Sequence, residues 1–110
     1  MSGQAETLRV KQLIAGELCE SQSEQWIDVT NPATQEVLAK VPCTTQAEME
    51  TAIDTAKEAF KEWRQVPVSE RVRFMFKFQE LLKQHYDELA EILSAETGKT
   101  FADAKGDVWR

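Results

Sequence analysis

Few side chains in this chain could carry chemistry, and their spacing removes most of the options. Cys19 and Cys43 stand far apart with no CxxC pair, and His85 is the single histidine. A zinc site needs three or four nitrogen and sulfur ligands, so none is expected. Cys43 lies just ahead of Thr45-Gln46-Ala47-Glu48, a helix start, and a helix N-terminus lowers a thiol pKa. A nucleophile also needs an adjacent base and oxyanion donors. The one histidine belongs to another helix, so a structural thiol is the expectation, and acyl transfer through Cys43 would demand selective alkylation over Cys19. Gly98-Lys99-Thr100 imitates the tail of a phosphate-binding loop, but Leu93 occupies the place of its first glycine and a helix precedes it. No GxGxxG is present for a dinucleotide. Trp26, Trp63 and Trp109 read as core or interface anchors.

The elements that must hold these residues can be read in order. Residues 1–9 form a flexible start. Val10 to Ile14 predicts a strand, Ala15-Gly16 a tight turn, and Leu18-Cys19 a second strand. Trp26 to Thr30 is strand-like, Asn31-Pro32-Ala33-Thr34 is a turn by composition, and Glu36 to Val41 is a strand closed by Pro42. Thr45 to Glu48 is a capping box. Met49, Ala52, Ile53, Ala56, Phe60 and Trp63 then follow at helical steps, the alanines permitting a close partner helix. The dominant stretch, Ser69 to Lys99, predicts one long helix capped by Ser69 and ended by Gly98. Its apolar residues cover well over half the circumference, which suits a core helix covered from two sides. Arg71 and Glu96 fall inside that apolar arc, as end residues reaching solvent or as partners of a neighbouring backbone. Thr100 starts a third helix that is still running at Arg110, so the chain reads as broken mid-helix. The sum is an α+β piece, β-hairpins followed by three helices.

The chain has 110 residues, enough for one small domain, with 42% hydrophobic and 29% charged residues. A net charge of −6 argues against nucleic acid, which calls for a basic stripe. No apolar run is long enough for a membrane span. The first residues lack the signatures of signal and transit peptides, and two unpatterned thiols fit a reducing, cytoplasmic setting.

Several stretches together resemble the N-terminal segment of the aldehyde dehydrogenase superfamily. They are Ile14-Ala15-Gly16-Glu17, Asn31-Pro32-Ala33-Thr34-Gln35-Glu36-Val37, the Ala-rich helix to Phe60 and Trp63, Arg71, and Glu96-Thr97-Gly98-Lys99. Lys77 to Leu82 and Gly106-Asp107-Val108-Trp109-Arg110 look most like the CoA-acylating methylmalonate-semialdehyde dehydrogenases. The resemblance implies that residues 10–110 open a Rossmann-type NAD-binding domain, with NAD and CoA as cofactors of the whole enzyme. It also implies a semialdehyde substrate, loss of CO2, homo-oligomeric assembly, and a catalytic cysteine absent from this chain. Alone, the chain would be catalytically incomplete.

By the same resemblance Arg110, ending the G-[DE]-V-x-R motif, holds the substrate carboxylate, as a guanidinium fork can. Otherwise it is a helix surface charge. A monovalent cation would lie against backbone oxygens of Val29 and Thr30 and the acid Glu96, with backbone capping by Glu96 as the preferred competing explanation. The alternatives for the whole are a non-acylating aldehyde dehydrogenase segment, or a helical interaction module with a groove lined by Phe74, Phe78 and Trp109.

Overall fold

Ala15 and Gly16 both have positive φ, 54° and 79°, the combination a two-residue hairpin needs to match the twist of its strands. They join β2 (Gln12–Ile14) to β3 (Glu17–Cys19), paired antiparallel with Leu13 opposite Leu18. This hairpin is part of a computed structural model that describes residues 7–110. Residues 1–6, most of the expected flexible start, lie outside the described residues. Leu8 and Arg9, also placed in that start, instead form β1 (Leu8–Arg9), parallel to β5 (Val37–Pro42) with Leu8 opposite Ala39. A partner distant in sequence, invisible to local composition, imposes that strand.

β5 is the centre of a three-stranded sheet, with β4 (Trp26–Thr30) antiparallel on its other side. The turn between them uses Asn31 as expected. Its side-chain oxygen accepts from the Ala33 amide at 2.9 Å, and its own amide donates to Glu36 at 2.8 Å. The register slips between Val29 and Thr30, where Val29 faces Ala39 but Thr30 faces Val37. A bulge of this kind bends the strand locally. The Arg9 guanidinium lies 4.0 Å from the Trp26 ring centre, fastening β1 across the sheet.

Thr45 and Glu48 form the reciprocal capping box at the start of α1 (Gln46–Trp63). The alanines of α1 face the β2–β3 hairpin, with Ala52, Ala56 and Ala59 lining a hollow against Leu13 to Gly16. The expected close partner helix is therefore a hairpin.

The predicted single helix from Ser69 to Lys99 is two helices, α2 (Val68–Gln84) and α3 (Tyr86–Thr97), so the described residues hold four helices where three were expected. His85 breaks it with φ −104° and ψ 19°, and its ring contacts the Glu88 carboxylate at 2.8 Å. Asp87 and Glu88 then occupy the first turn of α3, where negative charge suits the helix dipole. His85 itself is exposed rather than half-buried. α2 begins behind Pro67, not Ser69, and has no side-chain cap. Gly98 ends α3 in the left-handed conformation, as its type predicts.

α4 (Phe101–Trp109) starts with Thr100 accepting from the Asp103 amide. It packs on α3 through Ala90 and Ala104, the two fully buried apolar residues among those described. Two methyl-sized side chains at a helix contact let the backbones come close, and the Tyr86 hydroxyl donates to the Lys105 carbonyl at 2.8 Å.

α2 buries no residue and shares in none of the main contacts between elements. Phe74, Met75, Phe76 and Phe78 all lie exposed. Its two-sided cover is not supplied by the described residues. The accessible surface is 9246 Å², against about 6,200 Å² for a compact chain of this mass. The radius of gyration is 17.7 Å, against about 13 Å for a compact domain of this length.

Candidate functional site

Arg110 follows the last residue of α4, and its own helix holds it on one side. Nε donates to the Gly106 carbonyl at 3.4 Å, and Nη2 donates to Asp107 Oδ1 at 2.8 Å. The other oxygen of Asp107, Oδ2, takes a hydrogen bond from the Lys99 ammonium. Lys99 comes from the link between α3 and α4, so one carboxylate joins two elements. Lys99 first, and Arg110 after it, hold the Asp107 carboxyl below the usual carboxylate range, against partial desolvation. Ala102, Asp103 and Gly106 complete a notch around these three groups.

The guanidinium has five N–H donors in a plane. Its Nε–Nη2 edge is engaged, whereas Nη1 and one Nη2 hydrogen have no partner among the described residues. That outer edge is the fork a carboxylate accepts bidentately. Sequence reasoning singled out Arg110 and missed Asp107 and Lys99. The available signal was the i,i+3 spacing of Asp107 and Arg110 on a helix.

The other expected site residues are placed as follows. Val29 and Thr30 are half-buried at the bulge of β4. Glu96 is exposed rather than turned inward among the described residues. It makes no side-chain hydrogen bond among the described residues, so the preferred capping role is not seen. Its neighbour Gly98 lies directly against Pro32, which brings the end of α3 to the turn after β4. No cluster of three potential metal ligands from His, Cys, Asp and Glu occurs among the described residues. Arg71 is half-buried, and its Nε is fully buried without a partner among the described residues.

Cys43 is half-buried, and its amide donates to Gln25 at 2.9 Å. Near the helix start it is Glu48, not a thiol, that gathers donors. It accepts from the Ser21 hydroxyl at 2.8 Å, the Gln22 amide at 2.6 Å and the Thr45 amide at 3.0 Å. These bonds, the two backbone amides foremost, lower its pKa to about 2. The groove expected from Phe74, Phe78 and Trp109 does not form as that set. Phe74 meets Trp63 edge-on at 5.5 Å, whereas Trp109 shares an open groove with Leu82, Tyr86 and Val108.

Comparison with known proteins identifies the family of the chain. Residues 18–110 match the model of the aldehyde dehydrogenase family. The acylating methylmalonate-semialdehyde dehydrogenase of Arabidopsis thaliana mitochondria is 51% identical over 102 residues, covering 93% of this chain and 17% of that protein. The malonate-semialdehyde dehydrogenase of Bacillus subtilis is 47% identical over 106 residues, covering 96% and 22%. Among solved structures, one described as a methylmalonate-semialdehyde dehydrogenase from Sinorhizobium meliloti complexed with NAD superposes with a TM-score of 0.91. It is 36% identical, covering 97% of this chain and 22% of that one. The chain thus spans about a fifth of the length of the relatives it matches. With strands, four helices and the motifs of that family's opening segment in the same order, the chain belongs to the aldehyde dehydrogenase family.

Proposed function

We propose that this chain is the opening segment of an NAD-dependent, CoA-acylating dehydrogenase for malonate or methylmalonate semialdehyde. The whole enzyme oxidises the semialdehyde, releases CO2 and yields an acyl-CoA. The observation that carries this reading is Arg110, held by its own helix with the outer edge of its guanidinium open to a carboxylate. The names of the relatives support it. NAD would accept the hydride and CoA the acyl group when bound. The described residues contain no glycine-rich phosphate cradle, so both would be held by other parts of the protein, and no step through them is assigned to this chain.

The remaining assignments follow from the same reading. The exposed faces of α2 and Trp109 are covered by the rest of the dehydrogenase chain, in a homo-oligomer. The Val29–Thr30 bulge, with the end of α3 close to the following turn, is a monovalent-cation position shared with Glu96. No helix of the described residues is long and apolar enough to cross a membrane, and we place the protein in the cytoplasm on its two free thiols.

The test is a hybrid enzyme in which residues 1–110 replace the matching segment of the Bacillus subtilis malonate-semialdehyde dehydrogenase. With malonate semialdehyde, NAD and CoA, the hybrid forms NADH and acetyl-CoA in equal amounts. A folded hybrid that forms NADH from propanal but not from malonate semialdehyde would contradict the carboxylate reading, and a folded hybrid forming no NADH from either would contradict the dehydrogenase reading.

A further inference from the structure

Arg110 alone would be a poor specificity device. An exposed arginine at the end of a helix has many rotamers, and ordering it on substrate binding costs side-chain entropy. The notch around it supplies what is missing. Asp107 sits one turn back on α4, engages Nη2, and is itself bonded by Lys99 from the preceding link. The Gly106 carbonyl fixes Nε from the same turn. The guanidinium is therefore gripped along one edge by groups that no substrate needs to displace.

The charges of the notch are balanced, so an anionic guest is received by the open edge of Arg110 and not by a general positive field. Asp107 alone would repel an incoming carboxylate, but Lys99 offsets it. With Lys99 and Arg110 positive and Asp107 and Asp103 negative, the notch is neutral overall, and the open edge of Arg110 is its unpaired cationic part. If Asp107 lost its charge, Lys99 and Arg110 would lose the one carboxylate bonded to both, and Arg110 would leave its place.

From this geometry we propose that Asp107, anchored by Lys99, is a positioning residue that sets Arg110 for the carboxylate of the semialdehyde and so determines selectivity for acidic over neutral aldehydes. The inference rests on the carboxylate-binding reading of Arg110 given above. It assigns Asp107 no contact with the substrate. Its effect reaches the reaction through Arg110 alone.

The experiment uses the hybrid enzyme and two aldehydes, malonate semialdehyde and propanal. Asp107→Asn raises the KM for malonate semialdehyde about tenfold relative to that for propanal, the scale of one charge-assisted hydrogen bond, with little change in the ratio of the two kcat values. Asp107→Glu restores part of the selectivity, and Lys99→Met loses a smaller part than Asp107→Asn. If Asp107→Asn does not fold, the Glu and Met variants carry the same readout. An Arg110→Ala control separates the two levels. Should Arg110→Ala lose selectivity while the Asp107 and Lys99 variants keep it, the positioning role is overturned and the carboxylate reading survives. Should Arg110→Ala also keep selectivity, the carboxylate reading itself has failed. Equal changes for both aldehydes in the Asp107 variants would mean a merely structural role and would overturn the proposal.

Discussion

Gly98 and Pro32, far apart in sequence, are packed so closely that a β-carbon built on Gly98 would lie 2.9 Å from Pro32 Cγ. Gly98 also has φ +75°, a conformation L side chains rarely adopt. The contact ties the end of α3 to the turn after β4, and so fixes where Lys99 begins its approach to Asp107. Gly98→Ala in the hybrid enzyme should therefore cost about 1–2 kcal/mol for the left-handed backbone, with steric overlap added. Denaturant unfolding of Gly98→Ala, Pro32→Ala and the double variant separates the two. The double variant should recover the overlap but keep the backbone cost, and simple additivity would show that the contact carries no strain.

Arg110→Ala should raise the KM for malonate semialdehyde by about 10- to 100-fold, the range for losing charge-assisted hydrogen bonds. Steady-state kinetics of the hybrid against propanal supplies the comparison. An equal rise for both aldehydes would leave Arg110 as a general structural residue.

Glu48 links the loop at Ser21-Gln22 to the first turn of α1. Its pKa is lowered from 4.5 to about 2 by the amides it accepts from. A carboxylate depressed in the folded state adds stability that is full above its unfolded pKa and fades as pH falls through the folded one. The contribution should thus be present above about pH 4.5 and lost towards pH 2. The protection factors of the Gln22 and Thr45 amides, taken against the intrinsic exchange rate at each pH, should fall down that window in the native protein. In Glu48→Gln the protection factors should already be low at neutral pH and change little on acidification; a protection profile unchanged from the native one would exclude the clamp.

The cation position makes a separate demand. Replacing sodium or potassium by a bulky organic cation should lower the thermal midpoint of the hybrid, and Glu96→Gln should abolish that dependence. A Glu96→Gln protein with the dependence intact would remove Glu96 from the site.

The legible parts of the fold were those whose causes are local. Ala15-Gly16, Asn31-Pro32, the Thr45–Glu48 capping box, Gly98 and Thr100 each specify a turn or a cap through their own backbone and side chains, and each does so here. The break at His85 was hidden because apolar residues continue on both sides of it, and the sign of a new N-terminus, Asp87-Glu88, is easily taken for surface charge. β1 was hidden for a different reason, since a two-residue strand exists only through its distant partner. At the candidate site, Arg110 was reached through resemblance to a family motif, not through periodicity. Asp107 and Lys99 required the turn at Gly98 to be placed before their meeting could be seen.

The most direct test of the account concerns α2, whose apolar residues stand open in this chain: Phe76 is 63% exposed. Hydrogen exchange of the α2 amides should be measured in the chain by itself and in the hybrid enzyme. The account predicts weak protection in the chain alone and strong protection in the hybrid, where the dehydrogenase body covers the helix. Equal and strong protection in both would contradict it, and would identify the chain as a self-sufficient helical module.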